Sequence, residues 1–372
     1  IYMWSYSDSA GGFQLPGPTM CVTSGETVTV ILHNTLSEPT SIVFPGQTGV
    51  KANGNAAQPQ FDGGGSLVSM VQAADATGGS VTYTFTAGSP GSYLYESGTD
   101  VNKQVQMGLY GAMIVRPAGH SDQVNDRADS AFGTASAADP LPREFVFLLS
   151  EVDPDVHLAV ERGEPVDWKS YTARYFMING RSMPDTIAPN NASWLPTQPY
   201  GAMVHIKPYD MNSNPLPVTI HYLNAGTVNY PFHPHGSDER VINRDGHALQ
   251  GPNGQDLSYN KFDLDIGPGQ ALDVLMDWRD ADHWNAADNP IPTQIPALTD
   301  QLLVGSDTWF SESGYLGTKN PVPANMTTNN ECGEYYHIAH SHALEQATNY
   351  GATFGGMMTL FRIDPPAGCP QN

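Results

Sequence analysis

The chain has 372 residues, enough for more than one hydrophobic core, and combines 40% hydrophobic residues with 37 glycines and 30 prolines. That mixture favours short strands and turns over disorder. Sixteen Lys+Arg stand against 38 Asp+Glu, a net charge of -22, which repels phosphate backbones and argues against a nucleic-acid partner, and no run of 18 apolar residues offers a membrane-spanning helix.

In chain order, the sequence opens at Ile1 without a methionine, as expected of a mature chain whose leader has been removed, so a secreted or periplasmic location is expected. Apolar residues then recur with period two. In GETVTVIL (25–32), Val28, Val30 and Leu32 fall on one face; in SVTYTF (80–85), Val81, Tyr83 and Phe85 do the same. Similar strand-like runs are GAMIVRP (111–117), EFVFLLSE (144–151), YGAMVHIKP (200–208), PVTIHYLN (217–224), ALDVLMDW (271–278) and MMTLFRID (357–364). HALEQATNY (342–350) has room for one or two helical turns, and no long amphipathic helix is predicted. Many short strands with Gly/Pro punctuation predict an all-β chain of sandwich or barrel domains.

Residues 118–143 are polar and rich in Ala, Asp and Ser, and read as a linker between a first domain, 1–117, and a second, 144–372. The two sides share a pattern. Each closes with a Gly-led, Tyr-rich strand, a polar loop with glutamines, a Gly-rich turn and a final apolar strand ending in Arg, which points to one β domain used twice. Of three cysteines, Cys332 and Cys369 flank the last segment. Their pairing would close a loop worth roughly 4 kcal/mol; a bridge from Cys21 to either is the alternative.

Histidine is the residue type that points to chemistry. YPFHPHG (230–236) and AHSHALEQ (339–346) each hold a His-x-His pair, His233 with His235 and His340 with His342. On a strand such residues share a face, and imidazole suits copper and zinc. His337 has odd spacing to the second pair and is expected to face the other way. His33, His120, His157, His205, His221 and His283 are isolated and read as structural or surface residues. No Gly-x-Ser-x-Gly elbow, phosphate loop or Cys-x-x-Cys is present.

With PGPTMCVTSGETVTVILHNTL (16–36), PTSIVFPG (39–46), PGSYLYESGTD (90–100) and GLYGAMIVRP (108–117) in order before the two histidine motifs, the chain resembles the multicopper oxidases in their small two-domain form. The resemblance implies two cupredoxin-like Greek-key β-sandwich or barrel domains. It also implies four His-x-His motifs around a three-copper cluster, fed by a blue copper on two histidines and a cysteine. Against that pattern, the first motif falls on Val43 and Pro45 and the second on Glu96 and Gly98; only the third and fourth keep their histidines. The blue-copper positions fall on Tyr230, Ser341 and Gln346, with Met357 or Met358 near the axial place. A serine hydroxyl stays protonated and is hard where copper(I) wants soft sulfur.

The reading is therefore a secreted copper-binding protein using His233, His235, His340 and His342, with zinc as the alternative metal and no laccase-type oxidase activity. Two other functions remain open: an extracellular structural or assembly module on the same scaffold, and a copper oxidoreductase fed electrons by a partner protein. A homo-oligomer is a further expectation, since trimers occur among two-domain relatives.

Overall fold

The computed structural model describes residues 1–8, 12–118, 143–209, 217–278, 335–351 and 355–364. The first half forms strands β1 (Met20–Thr23), β2 (Thr27–His33), β3 (Lys51–Ala52), β4 (Asn55–Ala56) and β5 (Gln60–Phe61). It continues with β6 (Leu67–Ser69), β7 (Ser80–Thr86), β8 (Gly91–Glu96) and β9 (Tyr110–Arg116). The second half supplies β10 (Glu144–Val152), β11 (Tyr175–Ile178), β12 (Val204–Ile206), β13 (Val218–Asn224), β14 (Tyr230–Pro234) and β15 (Glu239–Arg244). After these come β16 (His247–Ala248), β17 (Tyr259–Lys261), β18 (Leu264–Ile266), β19 (Ala271–Met276), β20 (Tyr335–Ser341) and β21 (Met358–Ile363).

Each half packs two sheets face to face, which gives the all-β architecture expected from the strand pattern and the cupredoxin-like form that the resemblance implies. In the first half, β2-β7-β3-β4 faces β1-β9-β8; in the second, β11-β10-β13-β19-β15-β16 faces β12-β21-β20-β14-β18. The period-two faces fall where expected. In β2, Val28 and Leu32 are buried while Thr27, Thr29 and Ile31 are exposed, and Val81, Tyr83 and Phe85 of β7 join the same core. A separate core is built only from the second half, around Phe147, Tyr222, Phe232 and Phe361.

β8 and β9 differ from an ordinary sandwich sheet because both of their faces are covered. Tyr93, Tyr95, Met113 and Val115 point into the first core. The alternate residues Leu94, Tyr110 and Ala112 point the other way, onto Leu148, Leu223 and Ala271 of the second half. Strands buried on both faces have apolar residues at nearly every position, and β9, YGAMIVR, is buried throughout. Its terminal Arg116 is the exception in chemistry and is fully buried all the same.

The sequence reading contained no helix beyond residues 342–350, where a short one forms at Leu344–Ala347. A nine-residue helix also runs Pro154–Arg162. Its signals were local: the Asp153 side chain accepts from the Asp155 N–H, proline follows at the first position, and Gly163 closes the helix with φ 68°. The expected linker lies outside the described residues over 119–142, as do Cys332, Cys369, His120 and His283. Cys21 lies in β1, opposite Ile114 of β9.

Truncating Leu94 tests the packing between the halves. Leu94→Ala is expected to lower the unfolding free energy by about 2–5 kcal/mol, as for other buried leucines. Denaturant titration reads this directly, and an unchanged midpoint would contradict close packing there.

Candidate metal centre

The four paired histidines are brought together by one strand register. β14 and β20 are antiparallel neighbours with His233 opposite His340 and Phe232 opposite Ser341. The ladder continues past both strand ends, where the His235 N–H donates to the Ile338 carbonyl (2.9 Å) and the His342 N–H to that of Pro231 (2.6 Å). Alternation buries Tyr230, Phe232 and Pro234 in the core and leaves His233 half-buried on the other face. His340 is buried, whereas His235 and His342 are exposed.

The rings form a compact group. Centroid separations are 4.7 Å for His233–His235, 5.1 Å for His235–His340, 5.4 Å for His233–His342 and 5.7 Å for His340–His342. His233 Nδ1 lies 2.5 Å from the Phe262 carbonyl and His340 Nδ1 2.7 Å from that of Ser341. A carbonyl only accepts, so both Nδ1 atoms carry the hydrogen and both Nε2 atoms present lone pairs. His235 Nε2 and His340 Nε2 lie 3.1 Å apart. Two ligands of one tetrahedral ion, each at 2.0–2.1 Å, are separated by about 3.3 Å. The donor set therefore fits an imidazole-binding ion at this pair. Among the described residues, no three His, Cys, Asp or Glu side chains already hold ligating geometry together, so His233 and His342 must turn to complete a site.

Burial pushes the His340 imidazole below its usual value, as do the neighbouring imidazoles, against a partial rise from the Ser341 carbonyl. Burial, then His233 and His342, push His235 down in the same way. Both are neutral at pH 7 and available as ligands. His337, expected to face away, stacks on Trp278 with centroids 4.6 Å apart, and its Nδ1 lies against Gly236 next to His235.

The three residues that the sequence comparison expects at blue-copper ligand positions, Tyr230, Ser341 and Gln346, bind protein groups. Ser341 donates to Gln346 Oε1 (2.5 Å), and Gln346 Nε2 donates to the Asn229 carbonyl (3.1 Å). Tyr230 donates to the Glu151 carboxylate. That carboxylate also accepts from the Thr227 N–H (2.7 Å), the Thr227 hydroxyl (2.8 Å) and Tyr171 (2.8 Å). Met357 is fully buried in the second core.

In the first half, Val43 and Glu96 face each other as β-bridge partners, with Val43 N–H donating to the Glu96 carbonyl at 2.8 Å. A Cβ at Gly98 would fall 2.6 Å from Val43 Cγ1, so the valine methyl closes over the glycine. Pro45 is exposed, and burial raises the Glu96 carboxyl. These four positions converge as two neighbouring segments but offer one carboxylate and no imidazole.

The paired sheets of each half have a cupredoxin-type fold. Residues 11–120 match the family model for multicopper oxidases. A multicopper oxidase of Cercospora beticola, CTB12, is 28% identical over 162 residues, which is 42% of this chain and 21% of that protein. An L-ascorbate oxidase of Brassica rapa subsp. pekinensis is 26% identical over 272 residues, 71% of this chain and 42% of its own. The chain thus spans less than half the length of these curated relatives. Among solved structures, the blue copper oxidase of Nitrosomonas europaea superposes with a TM-score of 0.56 at 20% identity, covering 94% of this chain and 76% of its own. The multicopper oxidase mgLAC gives 0.57 at 18% identity, covering 100% and 85%. The chain is multicopper-oxidase-like, with the cupredoxin fold of that family.

Sequence reasoning missed two buried polar groups, Glu151 with its phenols, and His221 with Glu144 and Asp273. The available signal was a charge inside an otherwise apolar strand, as in EFVFLLSE and ALDVLMDW. Such a charge needs a partner when both faces are buried.

Removing the Ser341 hydroxyl tests the polar network. Ser341→Ala leaves Gln346 Oε1 without its donor and is expected to cost about 1–3 kcal/mol of stability. Thermal or denaturant unfolding of the variant measures that loss.

Proposed function

We propose that the chain is an exported copper-binding protein that holds the metal through His233, His235, His340 and His342 and lacks laccase-type oxidase activity. The observation that carries this reading is the convergence of both histidine pairs across β14 and β20, with two Nε2 atoms 3.1 Å apart. Bound copper would supply one-electron redox chemistry. The protein's part is to present neutral imidazoles, with the Phe262 and Ser341 carbonyls fixing the orientation of two of them. Copper is favoured over zinc by the multicopper-oxidase resemblance.

The loss of oxidase activity rests on Ser341, Gln346 and Tyr230. Their hydrogen-bonding groups are committed to protein partners, and none supplies a thiolate or an imidazole. A structural or assembly role is the second reading. It is favoured by the absence of a ready three-donor set among the described residues and by exposed Phe262 (60%) and Leu344 (63%) beside the histidines.

Metal analysis of purified protein after copper loading and desalting separates the two. The wild type is expected to retain roughly one to two copper ions per chain without an intense thiolate-copper band. His340→Ala/His342→Ala is expected to weaken retention at least about tenfold. Equal metal in wild type and variant would remove the copper reading and leave the structural one. Dioxygen consumption with phenols, metal ions or small cytochromes as donors would contradict the absence of oxidase activity.

Copper retention should also depend on pH with a definite sign. Protons compete with metal for imidazole, and His235 and His340 are held below the usual histidine value. Retention is expected to persist at neutral pH and to fall on the acid side of about pH 6.5. Equilibrium dialysis across the pH range checks this.

A further inference from the structure

Five polar side chains are walled into the seam between the two cores. Ser92 of β8 and Arg116 of β9 come from the first half; Glu144 of β10, His221 of β13 and Asp273 of β19 come from the second. None is more than 1% exposed. His221 Nδ1 lies 2.6 Å from Asp273 Oδ1 and 2.8 Å from Ser92 Oγ, and its Nε2 lies 3.0 Å from Glu144 Oε1. The other oxygen of Glu144 is paired with the Arg116 guanidinium. Asp273 accepts from the Ser92 hydroxyl and, at 3.2 Å, from the Ser92 N–H.

Each ring nitrogen of His221 faces a carboxylate, and an ionised carboxylate only accepts, so both nitrogens carry a hydrogen and the ring is an imidazolium. Charge counting agrees. Two carboxylates face one guanidinium and one imidazole, and the group is neutral only when His221 holds its second proton. Without that proton a net negative charge is left where no water reaches it. The charged groups that contact His221 are Glu144 of β10 and Asp273 of β19, with Arg116 of β9 behind Glu144; Tyr93, on the opposite face of β8, senses Asp273. That phenol is pushed up first by burial and then by Asp273.

We propose that the second proton of His221 is a bolt across the seam: with it in place the halves lock together, and its loss in alkaline solution loosens their contact while each core stays folded. Burial alone would push His221 down, but its hydrogen bonds to Asp273 and Glu144 and the charges of both outweigh it and raise the group to about 9. The folded-state value therefore lies above the ordinary histidine value of about 6.5. Stabilisation is fully present below about pH 6.5 and is lost as pH rises through about 9. The proposal is independent of the metal reading, because no paired histidine touches this group.

The test uses the full chain, with histidine-labelled NMR for the titration and amide hydrogen exchange, corrected for intrinsic rates, for the seam. His221 is expected to titrate well above the ordinary histidine range. Protection of β8 and β13 relative to β2 and β7 is expected to fall at least about tenfold between about pH 7 and about pH 10. His221→Gln should show the low seam protection already at neutral pH, with no further step. His221→Gln/Asp273→Asn restores a neutral cluster and should regain protection while losing the step. The proposal is overturned if His221 titrates at its ordinary value, if the step survives in the double variant, or if β2 and β7 open together with the seam.

Discussion

Every functional arrangement in this protein follows from one geometric constraint: successive side chains on a strand point to opposite faces. In β8 and β9 that alternation is used on both sides. One face carries Tyr93, Tyr95, Met113 and Val115 into the first core, and the other carries Leu94, Tyr110 and Ala112 onto the second half. A single sheet thereby acts as the wall of one core and the floor of the next. A one-residue slip of β9 would exchange its two sets, turning Arg116 into the first core and a neighbour such as Val115 toward Glu144. The buried Arg116–Glu144 pair opposes such a slip, because breaking it would strand a charge in the interior.

The same alternation sorts the candidate metal centre. On β14, His233 points out of the core while Tyr230 and Phe232 point into it. On β20, His340 and Ser341 are neighbours in sequence that face opposite ways. Outward-facing positions keep groups that can bind a metal, and inward-facing ones have been absorbed into the interior by hydrogen bonds. Serine at 341 is thus part of a closed polar network. Its hydroxyl, the Gln346 amide and the Tyr230 phenol each have a committed protein partner, so that side of the strand is a satisfied piece of core. Reopening it for a metal would require breaking several buried hydrogen bonds, each costly once its partner is left alone.

Much of this was legible in the sequence. Strand faces followed from period-two patterning, and the four paired histidines followed from their i, i+2 spacing. The pairing of His233 with His340 was not legible, because register is set by a ladder between segments more than a hundred residues apart. His337 has the parity that its odd spacing predicts, and only its neighbours could not be read from the sequence. Parity along β20 places it on the face opposite His340, and the chain after Pro234 bends and brings Gly236 and Trp278 against its ring. The helix at Pro154–Arg162 escaped because its apolar pattern is short, although its Asp-Pro start and glycine stop were present in the sequence. His221 was read as an isolated structural histidine. That it is structural is correct, but its role depends on Glu144 and Asp273, and nothing in the spacing of those three residues announces that they meet.

The contrast between His221 and the paired histidines shows why residue type alone could not separate their roles. All are imidazoles held by β-strands or their ends, and burial acts on His221, His235 and His340 in the same direction, against charge. What differs is the company. His235 and His340 are pushed toward the neutral form first by burial and then by other imidazoles, whose charge would add to their own. His221 has a carboxylate at each nitrogen and a nearby arginine that balances only one of them. Two negative charges against one positive leave a deficit that a proton on the ring fills. Burial acts on all three, and the sign of the neighbouring charge decides whether it is reinforced, as at His235 and His340, or overcome, as at His221.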